Sequence, residues 1–169
     1  MESGMKFDAP WRLSLKLMTA FSVGILLGIP AIGLFSGPRG NILWIMSMVV
    51  IPLMVLVGAV FFIIRGYVLT YQKLLVRRLG WHSELSLKNL LSVEWDPEAM
   101  KRSIRTFGNG GLFCFAGKFR NKRLGAYRAF ATAPHLAVVL KFTDRTVVVT
   151  PGNPSKFVNA LKRLVSEVA

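Results

Sequence analysis

Two long apolar stretches occupy the first third of the chain, and short apolar runs broken by turn residues fill the rest. Residues 17–35 carry no charge over about 19 positions, which at about 1.5 Å each reach roughly 28 Å, close to the thickness of a bilayer's hydrocarbon core. Residues 42–64 are uncharged over about 23 positions and reach roughly 34 Å, enough to cross with some tilt. Both stretches predict membrane helices. Between them Ser36, Gly37, Pro38, Arg39, Gly40 and Asn41 favour a tight reversal, so the two helices are expected to form an antiparallel hairpin. Pro30 and Pro52 each withdraw a backbone donor near mid-membrane and predict kinks.

Beyond Arg65 the period changes. Residues 66–72 and 74–80 suit β-strands, and residues 81–95 offer one or two more, with a turn near Lys88 and Asn89. Asp96 and Pro97 break the pattern ahead of a short helical turn or loop at 97–101. Residues 106–125, rich in Gly, Phe and cations, have no helical period and are expected to form an irregular hairpin or loop. Residues 135–144 and 145–151 are the clearest strands, joined by a tight turn at 143–145. Phe157, Ala160, Leu161 and Leu164 then recur at helical spacing behind Pro154, with Asn153 or Ser155 available as a cap. This predicts a closing amphipathic helix of about four turns that packs its apolar stripe on a sheet. The fold class is therefore a membrane α-helical hairpin plus an α+β domain of short antiparallel strands with one C-terminal helix.

Charge separates the two regions further. The net charge is +14, and residues 65–169 hold 18 Lys and Arg against 6 Asp and Glu. Lys6, Arg12 and Lys16 precede the first helix, Arg65, Lys73, Arg77 and Arg78 follow the second, and the connecting loop has only Arg39. By the positive-inside rule both termini are expected to be cytoplasmic, with the plasma membrane as the expected location. The expected division is a cytoplasmic arm at 1–16, a hairpin at 17–64 (helices 17–35 and 42–64) and a cytoplasmic domain at 65–169. A cleavable signal over residues 1–35 is the rival reading, disfavoured because its apolar run exceeds the usual ~7–15 residues and a second span follows. Trp11 and Trp44 fall near the predicted interfaces.

The runs GNGG (108–111), LFCFAG (112–117) and KF (118–119), the later GAYRAFAT (125–132) and the closing VVVTPGNPSKFVNAL (147–161) resemble the bacterial PH-like (pleckstrin-homology-like) domains of small membrane proteins. Members often carry two helices before the domain. The resemblance covers roughly residues 65–165 and includes a Pro-x-x-Pro-x-x-Phe lead into the last helix. It implies a β-barrel or sandwich closed at one end by that helix, and a binding role with no reaction attached.

The densest cationic cluster is Lys118, Arg120, Lys122, Arg123 and Arg128, interleaved with Phe119, Leu124 and Tyr127. Together with Arg65, Lys73, Arg77 and Arg78 it is the candidate surface for anionic lipid or an acidic partner, each Lys or Arg near a membrane contributing about 1 kcal/mol. The bland reading of the 118–128 cluster is a solvated loop that reinforces topology. Gly24 and Gly28 form a GxxxG notch for helix packing, either within the hairpin or against a second copy. Gly108, Gly110 and Gly111 lack the Lys-Ser/Thr of a phosphate loop. Cys114, between Phe113 and Phe115, reads as a small hydrophobe, and His82 and His135 are not spaced as metal ligands. Glu84, Glu94, Asp96 and Glu98 offer no evident acid-base pair. No cofactor or metal is expected, the chain is not expected to be an enzyme, and no nucleic-acid recognition motif accompanies the charge.

The leading expectation is a membrane-anchored PH-like adaptor that contacts a protein partner, a second copy of itself or anionic headgroups. One alternative is an accessory subunit of a transport or secretion complex acting through its hairpin. Against any proton or ion pathway, neither span contains an ionisable side chain. Another alternative is a small membrane enzyme that would depend on Cys114 or His135.

Overall fold

A computed structural model describes residues 4–38 and 40–166. Arg39, the loop charge, lies outside the described residues.

Helix α1 (Leu13–Ser36) starts one turn before the uncharged run, because the Arg12 carbonyl accepts the Lys16 N–H at 3.0 Å and a backbone ladder does not stop at a charge. Helix α2 (Ile42–Phe61) is capped by Asn41, whose side chain accepts from Leu43 N and Trp44 N. It ends three residues early: Ile64 is drawn into the core of the domain and is fully buried. Met46–Val50 widen into a π turn, with Ile51 N donating to Met46 O, directly before Pro52. That turn accommodates a residue that has no N–H to offer the ladder. Both helices are long and apolar enough to cross a membrane, and they leave most of their surface without protein cover. They approach each other at Gly33, where an added Cβ would press on Met48, and the Trp44 indole donates to Gly33 O at 3.1 Å.

The domain is built from two sheets. Strands β1 (Met5–Asp8), β2 (Gly66–Leu69), β3 (Lys73–Arg77) and β4 (His82–Ser86) form one antiparallel sheet in that order. Strand β1 comes from the segment expected to be a plain arm, and its four-residue alternation MKFD is too short to read as a strand. The second sheet has the order β5-β9-β10-β8-β7-β6, from β5 (Leu90–Trp95), β6 (Ile104–Gly110), β7 (Phe115–Asn121), β8 (Gly125–Ala131), β9 (Val138–Phe142) and β10 (Thr146–Val149). Its pairings are not all antiparallel. Because β9 turns back into β10 across the sheet, β10 runs parallel to β8, with Val147 beside Arg128 and Val149 beside Phe130. His135 lies in a short 3₁₀ turn (Pro134–Leu136) ahead of β9.

Inward residues of both sheets share one core: Tyr67, Leu74 and Val76 from the first, and Phe130, Leu140 and Val147 from the second. Helix α3 (Pro154–Ser166), with the Asn153 side chain accepting Lys156 N at 3.0 Å, adds Phe157, Val158, Ala160 and Leu161, so the apolar stripe read from the sequence is the packed one. Phe7 of β1 meets Phe157 edge-on at 5.0 Å. The Tyr67 hydroxyl donates to Phe130 O at 2.6 Å and accepts from Thr150 N, tying the sheets together through a fully buried phenol. A smaller cluster (Phe119, Tyr127, Ala129, Val139, Val148) covers the opposite face of the six-stranded sheet beneath residues 99–100.

Candidate functional site

The last carbonyls of α2 have no partners within the helix, as at any helix C-terminus, and the domain supplies them. Arg78, just after β3, donates from Nη1 to Phe62 O at 2.7 Å and from Nε to Ser83 Oγ at 3.1 Å. The Trp81 indole donates to Phe61 O at 2.8 Å, and the Cys114 thiol donates to Phe62 O at 3.4 Å. A cation at this end of a helix also complements its dipole. The Arg78 guanidinium carbon lies 4.8 to 5.6 Å from the ring centroids of Trp81, Phe62 and Phe130, an aromatic enclosure for a buried cation.

The tip of the β6–β7 hairpin grips the other helix. Thr19 Oγ1 of α1 donates to Gly111 O at 3.2 Å and accepts from Phe113 N at 3.0 Å, and the Trp11 ring lies 6.2 Å from that of Phe113. Asn109 holds the tip by accepting from Gly111 N and Leu112 N. The glycines of this stretch therefore shape a hairpin. At Gly108 and Gly117, both with positive φ, an added Cβ would strike the backbone of the facing strand.

Beside this clamp a groove opens on the core-facing side of the six-stranded sheet. Alternate side chains of β7 share a face, so Lys118 continues the row of buried Ala116. Lys118 is opposite Arg128 of β8, which is beside buried Val147 of β10. The row is apolar under the core and cationic where it emerges from it. The groove, roughly 530 Å³, is lined by Arg78, Lys118 and Arg128 together with Phe62, Phe107 and Phe130. Arg78 and Arg128 both lie against the Phe130 ring, at 5.6 and 4.8 Å. Among the described residues no carboxylate lines the groove, and none forms an ion pair with these three cations. Burial lowers the pKa of Arg78, and the nearby Arg128 charge adds to the effect.

Residues 65–165 match the Bacterial PH domain family. The chain belongs to this family. None of the curated proteins and none of the solved structures compared with it matches. Domains of this kind are generally binding modules without catalytic activity.

The bacterial PH domain distributes the remaining candidate cations over separate places. Arg65 and Arg77 are exposed neighbours at the α2 end of the four-stranded sheet, where Arg65 N donates to Arg77 O. Lys73 is at the other end of β3 and pairs with Glu84 at 2.8 Å. Arg120, Lys122 and Arg123 border a second, larger cleft of roughly 1000 Å³ together with Lys101 and Arg102, two cations that sequence reasoning did not include. Arg123 is committed to the buried Asp96 at 3.0 Å. The run of basic residues after 96 was the available signal for Lys101 and Arg102. Gly24 and Gly28 do not pack within the hairpin: an added Cβ at either meets nothing within 4 Å, and the intramolecular contact falls on Gly33. Cys114 is fully buried, and burial pushes its thiol up to about 11, away from the range of an activated nucleophile. The groove's key member, Arg78, was visible in the sequence only as one of several cations after the second helix, since nothing local marks a side chain that folds back onto a helix end.

Proposed function

We propose that α1 and α2 cross a bacterial inner membrane as a hairpin with both termini cytoplasmic. In this reading the PH domain is a membrane-tethered binding module, an adaptor whose basic face engages anionic groups in the headgroup layer. The observation that carries the reading is the double clamp. Arg78 and Trp81 hold the end of α2, and residues 111 and 113 hold Thr19 of α1. A domain bolted in this way cannot swing clear of the helices it caps, so its cations stay where anionic headgroups are. The uncovered apolar surface of both helices supports the membrane part, and the cations flanking their domain-side ends support the orientation. Anionic lipid is favoured over an acidic protein because it is present at that depth without recruitment.

The full chain in phosphatidylcholine nanodiscs, with and without phosphatidylglycerol, tests this by hydrogen exchange. Anionic discs should slow exchange across residues 104–121 and added salt should reverse the effect. Equal exchange in both discs would contradict the reading and leave the cations as topology signals. A second reading, an accessory subunit acting through its hairpin, is favoured by the open notch at Gly24 and Gly28. Replacing both by Leu would then abolish association between hairpins without changing exchange in the domain.

A further inference from the structure

We propose that the groove between Arg78, Lys118 and Arg128 is a discrete seat for one phosphate headgroup of an anionic lipid. The inference rests on the reading above and names its site. Three features of the molecule converge on it. The groove concentrates three cations that have no carboxylate partner among the described residues, whereas Lys73, Lys101, Arg123 and Arg145 each have one. Like charges gathered without a counter-ion repel one another, and burial of Arg78 adds a desolvation cost. An incoming anion relieves both, and guanidinium forks match phosphate oxygens in geometry.

The groove is also amphipathic in the manner of its proposed occupant. Phe62 comes directly from the end of α2, and Phe107, 75 % exposed, stands opposite Lys118 on the edge strand β6. Cations beside exposed rings suit a molecule with a phosphate at one end and acyl chains at the other. Free phosphate would leave the rings unused. Finally, Arg78 is fixed before any ligand arrives, by Phe62 O, Ser83 and three rings. A preset donor loses little freedom on binding. Arg128, supported on Phe130, is partly preset in the same way.

The test is native mass spectrometry of the full chain released from nanodiscs of phosphatidylcholine containing a minor fraction of phosphatidic acid. The wild type should retain one phosphatidic acid in preference to phosphatidylcholine. Lys118→Ala with Arg128→Ala, both exposed and outside the core, should reduce that retention at least tenfold while the melting temperature stays near wild type. Lys156→Ala with Lys162→Ala removes the same charge from α3 and should retain the lipid. Millimolar glycerol 3-phosphate should fail to displace it; displacement would overturn the assignment to lipid in favour of a soluble phosphate ligand. Equal loss in both double variants would overturn the discrete seat and leave diffuse attraction by the basic face intact. No preference for phosphatidic acid in the wild type would overturn the seat and the proposed function together.

Discussion

Arg78 joins the two halves of the molecule through one side chain. Its Nη1 satisfies a helix carbonyl and its Nε satisfies Ser83, so truncation leaves the Phe62 carbonyl without this donor and three rings without their cation. Charged hydrogen bonds of this kind contribute about 1.5–3 kcal/mol each when removal strands a partner. Arg78→Ala should therefore destabilise the full chain by about 2–4 kcal/mol in thermal unfolding. Arg78→Lys should recover only part, because an ammonium cannot reproduce two separated N–H donors on a planar group. Two buried acids give a pH dependence. Burial raises the Cys114 thiol from 9.0 to about 11 and the Tyr67 phenol from 10.0 to about 12. The folded state thus holds these protons more tightly than the unfolded chain does. Their contribution is complete at neutral pH and begins to be lost above about pH 9, as the unfolded thiol and then the unfolded phenol ionise first. Denaturation midpoints at pH 7 and pH 10 should show the lower value at pH 10, and Cys114→Ala should reduce that difference. An unchanged midpoint would show that neither group is held protonated by folding.

The β6–β7 hairpin supplies both the grip on Thr19 and the Phe107 and Lys118 side of the groove, and its sequence disguised it best. Residues 106–125 read as irregular because glycine interrupts any strand pattern, yet Gly108 and Gly117 pair across the hairpin at a place where an added Cβ on either would strike the other backbone. Composition signalled a bend where the structure has a close approach. Gly117→Val, forced into φ +142 against the Phe107 carbonyl, should cost about 2 kcal/mol or more and show as a lower melting temperature. At the tip, Thr19→Val removes an acceptor and a donor while keeping the shape. Amides 111–114 should then exchange several-fold faster while the core strands stay protected. Elements with a strong local period were legible: α3 carries Phe157, Ala160 and Leu161 into the core as its spacing predicts, and β9 and β10 fall where apolar runs meet a tight turn. β1 was not legible because four residues carry too little pattern, and the parallel β8–β10 pairing was not because nothing local encodes it.

At the scale of the whole molecule, the division into apolar hairpin and basic domain follows from composition alone, since each region's residues suit a different solvent. How the two are joined does not. Thr19 and Gly111 are 92 residues apart in the chain, and Phe62 meets Arg78 only after β2 and β3 have folded back. The nine candidate cations therefore looked alike in sequence, while the fold gathers three in one groove and sends Lys73 and Arg123 to carboxylates elsewhere. In the proposed function the groove side of the domain is held in the headgroup layer. Strand β4 leads away from the Trp81 contact with α2, which at about 3.3 Å per residue puts Lys88 roughly 20 Å from that helix end. The direct measurement is nitroxide depth by electron paramagnetic resonance in nanodiscs, with Phe107→Cys and Lys88→Cys each labelled in a Cys114→Ala background. The label at 107 should lie at headgroup depth, shielded from aqueous relaxant, and the label at 88 should be fully exposed to it. Equal, full aqueous exposure at both positions would rule out that placement of the groove.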